Sequence, residues 1–273
     1  MYKQQNLHSH SLFCDGSLSL EEMVNAAIQK GCDSFGFSGH SYTPFDDNDK
    51  YSMSPEDTTR YFSEGAVLKE KYEGIIDLYF GVEQEYYSED IATGSDFVIG
   101  SVHYVLKDCV FISVDYSAES FLRGCEVYYG GDFYAMAEDY FEALTEVPAK
   151  TNADFIGHFD IITKFNSGSK FFSETHPRYT GAALGAIDKI LNSCNLFEVN
   201  TATMYKLGRL EPYPAVFLLK EISKRGGEVV ITSDSHDAGS ICYGFNETKI
   251  LLASCGFRYS KQLTKDGFVD VSL

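Results

Sequence analysis

The sequence predicts an α/β barrel that carries its chemistry where its strands end. Three observations predict it. Apolar, strand-like runs alternate with amphipathic, helix-like segments along most of the 273 residues, the rhythm of parallel strands joined by crossover helices. Six of the seven histidines stand at or just after the ends of such runs: His8 and His10, His40 after Phe37-Ser38-Gly39, His103 after Ile99-Gly100-Ser101-Val102, His158 after Phe155-Ile156-Gly157, and His236 after Ser233-Asp234-Ser235. Glu83 closes a similar run, Leu78-Tyr79-Phe80-Gly81-Val82. In a barrel the carboxyl ends of the strands open into the loops that hold the active site. One His after a strand is an ordinary core residue; five such strand ends with His and a sixth with Glu point to a metal site.

The opening stretch sets the pattern. Residues 4–7 read as a short strand and residues 8–15 as the loop leaving it. Residues i and i+2 of an extended chain share a face. His8 and His10 therefore present two imidazoles side by side, and Asp15 returns a hard oxygen ligand. Residues 19–30 are expected to be helical: Ser19 and Glu22 match a capping box, and Leu20, Met23, Val24, Ala27 and Ile28 share one face. Residues 33–38 form the strand that delivers His40. A polar loop spans residues 41–53, and its Asp46-Asp47-Asn48-Asp49 cluster reads as solvated loop ahead of a cation site. Ser54 caps the next helix, with Pro55 at its first position, and the helix runs to about residue 72. Residues 75–82 are the strand bearing Glu83, and residues 96–101 the strand bearing His103.

Between residues 107 and 150 the rhythm breaks. Residues 110–114 suggest a short strand, Gly130-Gly131 a break, and residues 132–146 a helix rich in aromatics. This region is expected to be a lid or specificity element near the mouth. The alternative is a crossover helix whose Phe133, Tyr140 and Phe141 pack on the barrel. Residues 154–157 then deliver His158, followed by Asp160 and a loop with Lys164, His176 and Arg178. A helix over 180–191, a strand over 196–199, a helix over 214–225 and a strand over 228–232 follow, the last delivering Asp234 and His236. Residues 249–252 and 268–273 read as peripheral. With no internal repeat, low-complexity segment or linker, residues 1–273 are expected to form one domain.

Composition fits that organisation. A chain of this length buries roughly 70–75% of its unfolded surface and needs no disulfides. Its seven cysteines are scattered, odd in number and without a C-x-x-C pair. With no signal peptide and no apolar run near 18 residues, they read as reduced thiols of a cytoplasmic protein with no membrane partner. Twenty-two basic against 40 acidic residues give a net charge of −18. No basic stripe is present, so nucleic acid is not an expected partner. Neither Gly-x-Ser-x-Gly nor a nucleotide phosphate loop occurs, which leaves no rival nucleophile motif. Mixed His and carboxylate donors suit zinc, manganese or iron. Such ions lower the pKa of bound water and withdraw charge from phosphoryl oxygens. The residues by themselves therefore reach a metal-dependent hydrolase.

His8-Ser9-His10 with Asp15-Gly16, Gly39-His40, Gly81-Val82-Glu83, Ser101-Val102-His103, Gly157-His158 and Ser233-Asp234-Ser235-His236 together resemble the ordered motifs of the PHP (polymerase and histidinol phosphatase) superfamily. They are most similar to its histidinol-phosphate phosphatase branch, from about residue 3 to residue 253. The resemblance implies a distorted (β/α)7, TIM-like barrel with two to three divalent metals at the carboxyl ends of its strands. Carried over by position, it implies that His8, His10, Glu83 and Asp234 hold one metal. Glu83 would bridge to a second held by His103 and His158, and Asp15, His40 and His236 would hold a third. Glu83, Asp234 and His236 are the expected catalytic ligands.

The implied reaction is hydrolysis of the phosphomonoester L-histidinol phosphate by a metal-bridging hydroxide, in histidine biosynthesis. Lys164, Lys206 and Arg209 are candidates for the phosphate. Glu85 and Asp160 are candidates for the substrate amine, and Glu85 alternatively for support behind a ligand. His176 is a candidate for the imidazole or amine, although a loop His beside Pro177 and Arg178 more often has a surface role. Two other readings compete: the same centre acting on nucleotides or oligonucleotide ends, and a non-catalytic, metal-binding regulatory protein.

Overall fold

Seven parallel strands, ordered β1-β2-β3-β4-β7-β8-β9, form the centre of the protein in a computed structural model that describes residues 4–46, 51–89 and 93–273. They are β1 (Gln5–Asn6), β2 (Ser34–His40), β3 (Asp77–Glu85) and β4 (Val98–Ser101), then, after an antiparallel hairpin of β5 (Tyr104–Lys107) and β6 (Val110–Ser113), β7 (Phe155–Ile156), β8 (Leu196–Asn200) and β9 (Glu228–Thr232). The last strand returns to the first. His10 N–H donates to Ser235 O at 2.8 Å and Ser235 N–H to His8 O at 3.0 Å, so the sheet curls into a nearly closed, TIM-like barrel.

The connections are helical. In order they are α1 (Leu20–Gln29), α2 (Pro55–Lys71), α3 (Ala118–Tyr129), α4 (Phe133–Thr151), α5 (Pro177–Ile190), α6 (Ala202–Lys206), α7 (Val216–Lys224) and α8 (Phe245–Ser254). The Ser19–Glu22 capping box forms, and Leu20, Met23, Val24 and Ala27 are buried. Ser54 caps α2 with Pro55 in its first turn. In 107–150 the structure divides the expected element. The β5–β6 hairpin and α3 elaborate the loop after His103. By contrast, α4 buries Met136, Tyr140, Phe141, Leu144 and Val147 in one cluster with Phe159, Tyr179 and Ile187, as a crossover helix does. It continues through Pro148 to Thr151, five residues past its expected end; burial of Val147, Pro148 and Thr151 offsets the lost backbone donor.

The end of the barrel nearest the strand starts is apolar. Leu7, Phe97, Ile99, Phe155, Leu196 and Val230 pack there with Leu263, which arrives on a second hairpin of β10 (Tyr259–Thr264) and β11 (Gly267–Ser272). Gln5 pins that hairpin: its Nε2 donates to Leu263 O at 2.9 Å and its Oε1 accepts Leu263 N–H at 2.8 Å. The polar residues therefore gather at the opposite end. Among the described residues no helix is long and apolar enough to cross a membrane. All seven cysteines are free, with Cys32 and Cys242 sulfurs 3.6 Å apart. Of the acidic loop cluster, Asp47, Asn48 and Asp49 lie outside the described residues, while Asp46 accepts a hydrogen bond from Tyr104.

Candidate metal centre

Glu83 is the hub. It lies near the end of β3, where the strand register sets it opposite His40 of β2, and it is 1% exposed. Its two oxygens face different histidines. Oε2 lies 3.0 Å from His8 Nε2, 3.1 Å from His40 Nδ1 and 3.5 Å from His10 Nε2. Oε1 lies 2.8 Å from His158 Nε2 and 3.2 Å from His103 Nε2. A carboxylate so placed suits a bridge between two cations.

Asp234 and Asp15 complete the wall. Asp234 Oδ1 is 3.3 Å from both His10 Nε2 and His236 Nδ1. Its backbone φ is +45°, an uncommon left-handed conformation that Asp tolerates better than most residues. Asp15 Oδ2 is 3.0 Å from His236 Nε2, and its Oδ1 is 3.6 Å from His10 Nδ1 and from His40 Nε2. Gly16 lets this loop fold back, because a Cβ there would stand 2.4 Å from Ser11 N.

Ligand atoms within 4.8 Å of one another form three groups among the described residues: His8, His10 and Asp234; His40, Glu83 and His103; and His10, Asp15, His40 and His236. Eight of the nine expected ligands fall in these groups, and His158 joins them through Glu83 Oε1 at 2.8 Å. The grouping refines the expected partition, since His10 and His40 each border two groups. His10 Nε2 is buried without a hydrogen-bond partner and points at the Asp234 and Glu83 oxygens. Six histidines and three carboxylates around orphaned, buried nitrogen fit divalent transition ions.

Electrostatics agree. Burial alone would raise the Glu83 carboxyl, but His8, His40 and His103 outweigh it and hold it well below the usual range. Burial, then the charges of His236 and His40, push the His10 imidazole down to about 3, so this ring is neutral and free to donate its lone pair. The carboxylates here are balanced by the surrounding imidazoles, and bound cations would take over that role and release protons.

Behind the ligands stands a layer that the sequence reading only partly found. Glu198, fully buried in β8, sets Oε1 2.5 Å from His8 Nδ1 and accepts the His158 backbone N–H on Oε2 at 2.5 Å. Thr232 Oγ1 and Asn200 Nδ2 donate to the same carboxylate at 2.6 and 3.1 Å. Glu85 Oε2 lies 2.9 Å from His103 Nδ1 and accepts the His103 N–H at 2.9 Å. Each carboxylate orients one nitrogen of a candidate ligand histidine toward Glu83.

The expected substrate contacts separate. Lys206 Nζ is at the centre, 3.1 Å from His236 Nδ1. Lys164 pairs with Asp115 at 3.3 Å. Arg209 is occupied by the carbonyls of Thr163 and Lys164, at 2.7 and 2.8 Å. Asp160 is fully buried, accepts Ala215 N–H at 3.0 Å, and is pushed up to about 7 by burial. Neither Asp160 nor Glu85 opens onto the mouth. His176 belongs to none of the ligand groups, capping α5 through Arg178 N–H at 3.2 Å and stacking on Tyr134 with centroids 4.1 Å apart.

A barrel with this donor set at its strand ends is the architecture of a metal-dependent hydrolase. The PHP domain family matches residues 6–202, and the chain belongs to that family. A Schizosaccharomyces pombe protein described as "Probable histidinol-phosphatase" is 28% identical over 271 residues, covering 91% of this chain and 86% of that one. The histidinol-phosphatase of Bacillus subtilis is 24% identical over 266 residues, covering 87% and 95%. The histidinol phosphate phosphatase of Lactococcus lactis, solved with zinc, L-histidinol and phosphate, superposes with a TM-score of 0.73 at 20% identity, covering 98% of this chain and 99% of that one.

Proposed function

We propose that this chain is a metal-dependent phosphomonoesterase that hydrolyses L-histidinol phosphate to L-histidinol and phosphate, a cytoplasmic step of histidine biosynthesis. The observation that carries the reaction class is the Glu83 carboxylate, set between two groups of histidines at the strand ends. The substrate rests on relatives named for it that align over most of their length.

His8, His10, Asp15, His40, Glu83, His103, His158, Asp234 and His236 would hold the ions. Bound there, divalent ions supply an acidic water and neutralise the phosphoryl oxygens. The protein's own part is placement. Glu198 and Glu85 fix which nitrogen of His8 and His103 faces the pocket. Burial of Glu83, His8 and His10 excludes bulk water and strengthens every charge interaction inside. Lys206, beside His236, is placed to neutralise a nonbridging phosphoryl oxygen. The surplus of 18 negative charges disfavours polyanions and suits a small substrate.

Steady-state assays on a panel of phosphomonoesters and diesters test this reading. L-Histidinol phosphate should give the highest kcat/KM. Diesters or nucleotides proving the better substrates would overturn it in favour of a nucleotide-directed phosphoesterase.

A further inference from the structure

The amine of such a substrate needs a carboxylate, and those nearest the metals are committed. Glu83, Asp15 and Asp234 face ligand histidines, Glu85 and Glu198 sit behind them, and Asp160 is buried beneath Ala215. Asp115 differs. It follows β6, whose next residue, Val114, donates its N–H to the carbonyl of the ligand His103 at 2.9 Å. Its side chain is 16% exposed, and its partner Lys164, six residues beyond His158, is 29% exposed. The pair thus hangs from the two strand ends that present His103 and His158, and it is more exposed than either histidine.

Asp115 is also built into place. Ser113 Oγ donates to its Oδ1 at 3.2 Å, and Lys164 Nζ reaches its Oδ2 at 3.3 Å. Burial would raise this carboxyl, but Lys164, then His103 and His158, hold it low, so it is an anion within the field of the two histidines. A cavity of about 500 Å³ is lined by Phe45, Asp46, Tyr104 and Phe111 and by Ser113 and Tyr116, which flank Asp115 in sequence; Asp46 is committed there, accepting a hydrogen bond from Tyr104. An aromatic wall beside a carboxylate suits a flat heterocycle attached to an ammonium.

We propose that Asp115 is the specificity-determining carboxylate that reads the substrate's ammonium group, exchanging Lys164 for it. This rests on the reading above, that the substrate is a phosphomonoester with an amine close to the ester. A partly solvated ion pair contributes little stability of its own, so the exchange is accessible.

The test compares L-histidinol phosphate with its des-amino analogue, the phosphate ester of imidazolylpropanol. Wild type should prefer the amine-bearing substrate in kcat/KM. Asp115→Asn should shrink that preference on the order of tenfold, the loss falling on the amine-bearing ester rather than equally on both. Ser113→Ala, which frees the carboxylate without removing it, should shrink it by about threefold. Losing both substrates alike, or keeping the preference in Asp115→Asn, overturns the assignment and leaves the histidinol-phosphatase reading standing. Should Asp115→Asn fail to fold, an unchanged preference in Ser113→Ala overturns it. Wild type that hydrolyses neither ester overturns the reading and the assignment together.

Discussion

Glu198 Oε1 lies 2.5 Å from Nδ1 of His8, on the side of the ring away from Glu83, so His8 is clamped between two carboxylates. The rear contact fixes the tautomer, keeps Nε2 facing the pocket and raises the ring's basicity. Through Oε2 the same side chain holds the His158 backbone, so one residue supports two strand ends. Glu198→Gln should weaken metal binding by roughly 10- to 100-fold, measured by competition with a chelator of known affinity. Unchanged affinity would mean that Glu198 serves only the barrel wall.

Glu83 and Asp15 make a sharper comparison. Glu83 faces five histidines across both oxygens, whereas Asp15 faces three from the rim. Glu83→Gln puts an amide N–H₂ where a lone pair is required. Its activity should fall further than that of Asp15→Asn, by more than about a hundredfold. Equal, mild losses would contradict a bridging role.

Metal removal should be felt in stability as well as rate. Purified protein should carry two to three transition-metal ions per chain, and chelation should abolish activity. Ligands that bind only the folded state stabilise it by about 4 kcal/mol when present at 1,000 times Kd. Stripping the ions should therefore lower Tm on the order of 10 °C. Elemental analysis of fully active protein without stoichiometric metal would sink this account.

Most of the proposed ligands were legible because they end strands whose apolar runs are plain in sequence, and strand ends converge in any barrel. Residues that act from the flank of a strand were not. Glu198 interrupts Leu196-Phe197-Val199 as an edge residue would, and only the pairing of β8 with β9, together with the return of β9 to β1, puts it behind His8. Glu85 stands two residues after Glu83 and so shares its face in sequence, and the structure turns it toward His103. The cap role of His176 was not legible because cap signals are usually Ser, Thr, Asp or Asn, although Pro177 does mark the first turn of α5. Asp115 directly follows the short strand read over residues 110–114, but its meaning depends on a loop 49 residues away.

Close approach between strands offers a test of how the site is positioned. A Cβ on Gly157 would stand 2.3 Å from Ser101 Oγ and 3.0 Å from Ile99 Cγ2. Gly157→Ala should push the end of β7 off β4, displace His158, and cost about 1–3 kcal/mol by denaturant titration. Gly181→Ala on α5 is the control, since nothing lies within 4 Å of its Cβ; there the change should stabilise by up to about 1 kcal/mol. Equal effects at the two positions would show that the strand ends tolerate displacement.

Glu85 separates support of the metals from recognition of the substrate. A carboxylate that reads the amine, when neutralised, raises KM for histidinol phosphate and spares an aryl phosphate that lacks the amine. Glu85 instead spends one oxygen on both the ring and the backbone of His103, and it is 2% exposed. Its neutralisation loosens a proposed ligand that every phosphomonoester depends on. Glu85→Gln should therefore lower kcat on histidinol phosphate and on aryl phosphate by the same factor, roughly 10- to 100-fold. Added metal should partly restore both rates. A selective rise in KM for the amine-bearing substrate would move Glu85 into the substrate pocket and displace Asp115 from that role.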